Sequence, residues 1–315
     1  MSEVLRQRED VVSAAGAAVT PQASSMISVI MVVYFTGPAL AQTLARVLDD
    51  PSVGELVIVE NGASADEAAV IDAVAQNPNV RLVRGQGNVG FAKGANLGAA
   101  HASGDALVFL NPDAFLEPGC VDALVGALAS GPAPLLIGAR VMNTDGAEQR
   151  GARRGEVTPF TTLLSLTRLS QKLRGLRGFE IHHESEPAPD APIPTPTISG
   201  ACFAMTREGF KSVGGFDEGF FLHVEDVDLC WRVRNSGGAV LFHPGARVVH
   251  LGSTSLKAPV VVEFWKGLGL ARYFRKRAKT PARAALAWLL GPLIVLVSVA
   301  RPILRGHAFR PRARR

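Results

Sequence analysis

The sequence predicts an α/β protein built on a Rossmann-like, mostly parallel sheet flanked by helices, with a helical segment at its C-terminus. Three observations lead there. From Ile27 onward, short β-branched runs alternate with Ala-rich stretches of helical character. The runs are apolar throughout, as strands buried on both faces are. Polar clusters then follow the strand ends, at Glu60-Asn61-Gly62, Gly87-Asn88 and Asn111-Pro112-Asp113, where open parallel sheets bind ligands.

Taken in order, residues 1–25 form a poorly ordered lead-in. Residues 27–35 read as a strand, 39–48 as a helix, 55–59 as a strand and 66–75 as a helix. A strand at 80–83, a helix at 92–102 and a strand at 106–110 follow. The folded unit spans 26–280, in two halves, 26–115 and 116–280. Residues 150–177 mix basic side chains with Leu and Thr, and 186–197 carry five prolines, so 187–196 is expected to be an extended connector. Order resumes at Ile198 and runs to about Ser255, and a helix covers 262–277. Residues 281–315 make a basic, apolar tail in which 284–300 are seventeen residues without a charge, bracketed by Arg283 and Arg301.

The chain of 315 residues carries a net charge of +5. Beyond Phe264 the basic residues accumulate, with Glu263 the nearest acid. Such asymmetry points to a polyanion, and without aromatic-basic interleaving a membrane is favoured over nucleic acid. Seventeen helical residues reach ~26 Å, short of a ~30 Å hydrocarbon core, and Gly291-Pro292 interrupts the run. A helix or shallow hairpin lying in an anionic membrane surface is therefore expected, with Arg305, Arg310, Arg312, Arg314 and Arg315 on the headgroups. The alternative is packing on the protein itself or on a second copy, a homodimer. The start does not fit a signal peptide, because Glu9 and Asp10 offset Arg6 and Arg8. Cys120, Cys202 and Cys230 are odd in number and widely spaced, which argues for a reducing compartment without disulfides or a thiolate zinc site.

Four constellations could carry chemistry. Gly85-Gln86-Gly87-Asn88-Val89-Gly90 matches a dinucleotide fingerprint, with Asp113 about 20 residues on. Against that reading, two βα units precede it, where such a fingerprint belongs at the first strand. Asp113 sits at a strand end, where a carboxylate can hold a hard dication against phosphates, although Asn-Pro-Asp is also turn chemistry. Glu225, Asp226 and Asp228 place three carboxylates within four residues, so compensating charge is expected nearby. At helical spacing Asp228 pairs with Arg232, while Glu225 or Asp226 can act as general base toward a hydroxyl. His250 ends a β-branched run, as a structural or a ligating histidine.

These blocks, in this order, resemble family 2 inverting glycosyltransferases, particularly a rhamnosyltransferase-like branch acting on cell-envelope glycans. The resemblance covers roughly 27–276 and rests on Val57-Ile58-Val59-Glu60-Asn61-Gly62, residues 87–96, Leu110-Asn111-Pro112-Asp113-Ala114, residues 137–141, 199–205, 213–218, 225–229 and His250. It implies a GT-A fold, a nucleotide-diphosphate sugar donor, a glycan or polyprenyl-linked acceptor, and a divalent cation, Mg2+ or Mn2+. The first half becomes the nucleotide-binding half and the second the acceptor half. Residue by residue it implies that Val33 and Tyr34 border the base, that Glu60 and Asn61 meet base or ribose, and that Asn88 and Asn96 lie near the nucleotide. Asn111 and Asp113 take the place of the Asp-x-Asp motif, Asp113 and His250 hold the metal, and Asp226 is the base beside Glu225. Gly200, Trp231 and Arg232 fall on the acceptor side. Glu60 for Asp, Asn111 for Asp and His223 for an aromatic are departures. Localisation follows as peripheral, on the cytoplasmic face of the inner membrane. The competing readings are a nicotinamide- or flavin-dependent oxidoreductase, a sugar-phosphate nucleotidyltransferase and a non-catalytic scaffold of the same fold.

Overall fold

The computed structural model describes residues 26–252 and 258–304; the lead-in, Ser253 to Ser255 and the arginines beyond 304 lie outside them. In chain order the strands are β1 (Ile27–Tyr34), β2 (Glu55–Gly62), β3 (Val80–Val83), β4 (Ala106–Leu110), β5 (Ala114–Leu116), β6 (Leu135–Met142), β7 (Arg153–Arg154), β8 (Ile193–Pro194), β9 (Thr197–Ile198), β10 (Cys202–Thr206) and β11 (Ala239–His250). The helices are α1 (Ala39–Leu48), α2 (Ala65–Val74), α3 (Phe91–His101), α4 (Cys120–Gly126), α5 (Pro159–Thr167), α6 (Leu169–Lys172), α7 (Arg207–Ser212), α8 (Glu225–Asn235), α9 (Pro259–Arg277) and α10 (Pro281–Leu304).

The main sheet runs β3-β2-β1-β4-β10-β6-β11-β5, with β8 added on β11. Strands β1 to β4 are mutually parallel, and β10 is antiparallel to both β4 and β6. Strand β6 therefore points the same way as β4, and β11 is parallel to β6. One edge of the sheet thus collects the carboxyl ends of six strands and the amino end of β10. Alternation along β1 divides the core. Val29, Met31 and Val33 pack under α1, α2 and α4, while Ile30 and Val32 face α3, α7 and α8. Small residues let α3 approach closely: a Cβ on Gly98 would come within 2.5 Å of Ile30.

A third cluster joins α8, α9 and α10 through Val227, Leu270, Tyr273, Ala287 and Ile294. Helix α9 starts three residues before the sequence expectation, with Pro259 in its first turn, a position that needs no N–H donor. Helix α10 passes straight through Gly291 and Pro292, so it is not a hairpin. Its contact with α9 holds it: a Cβ on Gly267 would lie 2.9 Å from the Val295 backbone, and one on Gly291 would lie 3.4 Å from Ala271. Its 24 residues span about 36 Å, longer than the uncharged run alone. Among the described residues it is the one helix long and apolar enough to cross a membrane. The Pro-rich segment also differs from a bare connector, because β8 pairs with Leu241 and Phe242 at an edge, where Pro194 needs no donor.

The α8–α9 contact also contains charge. Asp228 is fully buried and receives Arg232 Nε at 2.7 Å and Lys276 Nζ at 2.9 Å. Lys276 continues to Asp217 at 2.8 Å, and Asp217 to Arg272 at 2.9 Å. The i, i+4 pairing of Asp228 with Arg232 follows the helical spacing of the sequence. Breaking a buried ion pair from one side is strongly destabilising, so Asp228→Ala should lower the unfolding free energy by about 3–5 kcal/mol. A urea melt checks this, and a midpoint like that of the parent chain would refute it.

Candidate active site

The polar residues after the strand ends meet on the common sheet edge. Strand β1 ends in a bulge at Val33 and Tyr34 beside Glu60 and Gly62. Val33 is wholly buried and offers only backbone, while the Tyr34 ring packs edge-on against Phe35, centroids 5.0 Å apart. Glu60 is paired with Arg84 at 2.8 Å, a partner the sequence did not single out. Gln86 Nε2 donates to the Glu60 carbonyl at 2.8 Å, and Asn61 Nδ2 donates to the Gly90 carbonyl at 3.0 Å. Asn88 Oδ1 accepts from Gly90 N–H at 3.1 Å. These bonds brace the loop into α3.

The same loop answers the dinucleotide fingerprint. A Cβ on Gly90 would lie 2.6 Å from the Phe221 carbonyl, and Phe91 N–H donates to that oxygen at 3.0 Å. The close approach and the helix N-terminus that would cradle a pyrophosphate are occupied by the chain's own backbone. Asn96 lies deeper: both ends of its amide hold the Phe216 backbone, at 2.8 and 2.9 Å, and Nδ2 also reaches Glu218. It fastens the 213–218 loop to α3.

Asn111, Asp113 and His250 do come together. The register His250↔Ala114 between β11 and β5 brings His250 Nε2 to 3.1 Å from Asp113 Oδ1 and 3.3 Å from Asn111 Nδ2. Gln149, absent from the sequence reading, sets the ring. Its Nε2 donates to the His250 carbonyl and to Asn143 Oδ1, both at 3.1 Å, so its Oε1 is what faces His250 Nδ1 at 2.8 Å. That oxygen is placed to accept from Nδ1, and Nε2 lies on the side of Asp113 and Asn111. A histidine fixed through its far nitrogen beside a carboxylate is a donor set that suits a divalent cation. Among the described residues no group of three or more His, Cys, Asp or Glu could hold a metal; Asp113 and His250 are two.

The start of α8 gathers the second cluster. His223 and Val224 both adopt left-handed backbone, at φ 66 and 74, and turn the chain so that Glu225 begins the helix. Asp226 Oδ2 accepts from Arg154 Nη2 at 2.6 Å and from Gly200 N–H at 3.2 Å, and Oδ1 from Val227 N–H at 2.8 Å. A Cβ at position 200 would lie 3.1 Å from that of Asp226, so a side chain there would crowd the carboxylate. Glu225 is buried, and burial together with the adjacent Asp226 charge pushes its carboxyl up to about 8. At neutral pH it keeps its proton. Trp231 turns into the α9 packing, 6.3 Å from the Tyr273 ring, and Arg232 serves Asp228 and the Val213 carbonyl. Neither reaches Asp226.

A cavity of about 290 Å3 opens beside Asp226, and its wall includes Arg150, Arg154, His182, Lys266 and Arg301. Sequence reasoning missed these residues, though the clustered carboxylates called for such compensating charge. His182 is held down to about 2 by burial and by Arg150, Arg154 and Lys266, and burial also lowers Lys266.

The Glu225 carboxyl makes stability depend on pH. The unfolded chain releases this proton near the ordinary value of 4.5 and the folded chain near 8, so the folded state binds more protons in between and stability falls as pH rises through that window. Glu225→Gln should flatten that fall. Melting temperature followed from pH 5 to 9 reads it, and parallel curves for the two proteins would refute it.

Comparison with known proteins agrees with this geometry. The chain matches Glycosyl transferase family 2 over residues 28–214 and the N-terminal domain of galactosyltransferase over 181–253. It is 28% identical over 255 residues to an N-acetylglucosaminyl-diphospho-decaprenol L-rhamnosyltransferase of Mycobacterium tuberculosis, covering 72% of this chain and 76% of that one. It is 27% identical to polypeptide N-acetylgalactosaminyltransferase 11 of Xenopus tropicalis, over 68% of this chain and 36% of the relative. Among solved structures, a mannosyltransferase of Pyrobaculum calidifontis in complex with GDP-Man and Mn2+ superposes with TM-score 0.56 at 17% identity, over 96% of this chain and 83% of that one. GalNAc-T7 with UDP, GalNAc and Mn2+ gives 0.55 at 16%, over 90% of this chain and 58% of that one. With a family match that runs from β1 to the loop after α7, and the GT-A sheet beneath it, the chain is a glycosyltransferase of family 2.

Proposed function

We propose that this glycosyltransferase is an inverting enzyme that moves a sugar, of the rhamnose class, from a nucleotide-diphosphate donor to a hydroxyl of a cell-envelope glycan or lipid-linked acceptor. The observation that carries it is the division of carboxylates. Asp113 is turned to His250, Asp226 stands apart at α8, and Glu225 beside it keeps its proton. A single base carboxylate fits a single displacement, in which Asp226 takes the acceptor proton as the hydroxyl oxygen bonds to the anomeric carbon. The bond from that carbon to the nucleotide diphosphate breaks on the opposite face. Arg154, Gly200 N–H and Val227 N–H orient the base. Asp113 and His250 would hold Mg2+ or Mn2+, which neutralises charge on the departing diphosphate. Glu60, Asn61 and Asn88 are proposed to border the nucleoside, and Asn96 to position the loop behind it. The sugar class follows the mycobacterial relative named above.

Asp226→Asn should retain nucleotide-sugar binding and lower turnover by ~10²–10⁴-fold. Asp113→Ala, and more weakly His250→Ala, should reduce donor affinity in Mn2+ far more than in chelator. Near-normal turnover of Asp226→Asn would move the base elsewhere, and activity indifferent to chelator would remove the metal.

The reading includes peripheral attachment at the cytoplasmic face of the inner membrane. Its support is α10, which packs Ala287 and Ile294 inward while Trp288, Leu289 and Leu296 remain 66, 74 and 65% exposed. Leu289→Asp with Leu296→Asp spares the inward face and should release the protein from phosphatidylglycerol vesicles in a sedimentation assay. Unchanged sedimentation would rule out α10 as the anchor.

A further inference from the structure

The cavity beside Asp226 has an unusual charge balance. Arg150, Arg154, Arg168, Lys266 and Arg301 line it, against Asp226 as the one carboxylate in the wall. Part of this charge is answered from outside the lining: Glu180 and Glu184 lie 3.5 and 3.6 Å from Arg150, and Glu263 lies 3.8 Å from Arg301. Lys266 makes no hydrogen bond or ion pair with any described residue. A recess walled by one sign of charge concentrates counter-ions, and arginine forks beside a lysine match phosphate oxygens in particular.

The donor's diphosphate is not the candidate. Neither Asn111, Asp113 nor His250 belongs to the wall, whereas Asp226 does. An anion held here therefore lies on the side from which the acceptor hydroxyl reaches the base. The wall also carries apolar side chains, among them Leu166 of α5 and Leu270 of α9. Arg301 enters from α10, which rests on α5 and presents its exposed apolar face beyond. Phe160, Leu169, Leu173 and Phe179 add exposed apolar side chains along 159–179, among Arg168, Lys172, Arg174 and Arg177.

We infer that this cavity binds the diphosphate of a lipid-linked sugar acceptor, its sugar directed at Asp226 and its lipid along α10 and the 159–179 segment. The inference rests on the glycosyl-transfer reading above and gives the acceptor its chemical class. The anionic headgroup of an ordinary phospholipid offers the same phosphate chemistry, so the test separates the two sources.

Geranyl diphosphate is titrated calorimetrically into the full-length protein in chelator, which keeps the probe from being held through metal at Asp113. The parent chain should bind it, Lys266→Gln and Arg150→Gln should weaken it about tenfold or more, and Lys266→Arg should restore most of the affinity. Circular dichroism melts of the same variants report folding. Equal affinity in parent and variants would overturn the proposal. So would variants that lose only phosphatidylglycerol vesicle binding, which would assign the cavity to a headgroup. Hydrolysis of a nucleotide sugar by water, read on the same preparations with Mn2+ in place of the chelator, should be unchanged in both variants. Its absence from the parent chain would strike the glycosyl-transfer reading, while the diphosphate site would still stand or fall on the calorimetry.

Discussion

Three carboxylates within four residues repel one another, and the start of α8 must relieve that repulsion before the helix can form where it does. Each carboxylate is relieved differently. Glu225 goes into the interior and keeps its proton. Asp228 goes deeper still and takes two cations, one from its own helix and one from α9. Asp226 is left at the surface of the cavity with an arginine from a distant strand. The first solution leaves a neutral neighbour, the second fastens α8 to α9, and the third leaves a carboxylate beside open space. The position of Asp226 is thus what remains after the other two are accommodated, aided by the helix N-terminus that favours negative charge there.

Sheet topology brings the two clusters into one site. Strand β10 runs against its neighbours, so Gly200 and Ala201 arrive at the edge that β4 leaves through Asn111, whose N–H donates to the Ala201 carbonyl at 2.8 Å. Gly200 then touches Asp226 while Asn111 touches His250. The antiparallel run of β10 thus places Gly200 and Asn111 next to each other. The small pair of β7 and β9 does the same for Arg154.

What could be read in advance follows the range of the forces involved. The first four strands and three helices were legible because burial on both faces writes apolar runs into the chain, and the bounds agree to within a few residues. Asp113 was flagged by its place at a strand end, Asp226 by the clustered carboxylates and His250 by the end of a β-branched run, the first and last with structural readings beside the functional ones. The Asp228–Arg232 pair was legible because it is local. Arg154, Gln149 and Lys266 were not, since 72 residues separate Arg154 from Asp226 and 101 separate Gln149 from His250. No spacing rule relates such positions, and only the need for compensating charge pointed toward them. The resemblance implied an acceptor-side place for Trp231 and Arg232, but a helix turns successive residues by about 100°, so Asp226 and Trp231 face different surroundings. Pro292 looked like a stop because a lone helix would break there; contact with α9 holds the helix through it.

The contact between Gly267 and Val295 has a mechanical meaning. Close-packed interiors transmit displacement and do not absorb it, and no side chain at Gly267 cushions the two helices. Lys266, the adjacent residue, belongs to the cavity wall. A displacement of α10 would therefore be passed to the backbone of α9 at Gly267, one residue from the cavity wall. The exposed apolar helix and the cavity beside Asp226 thus share one stiff joint.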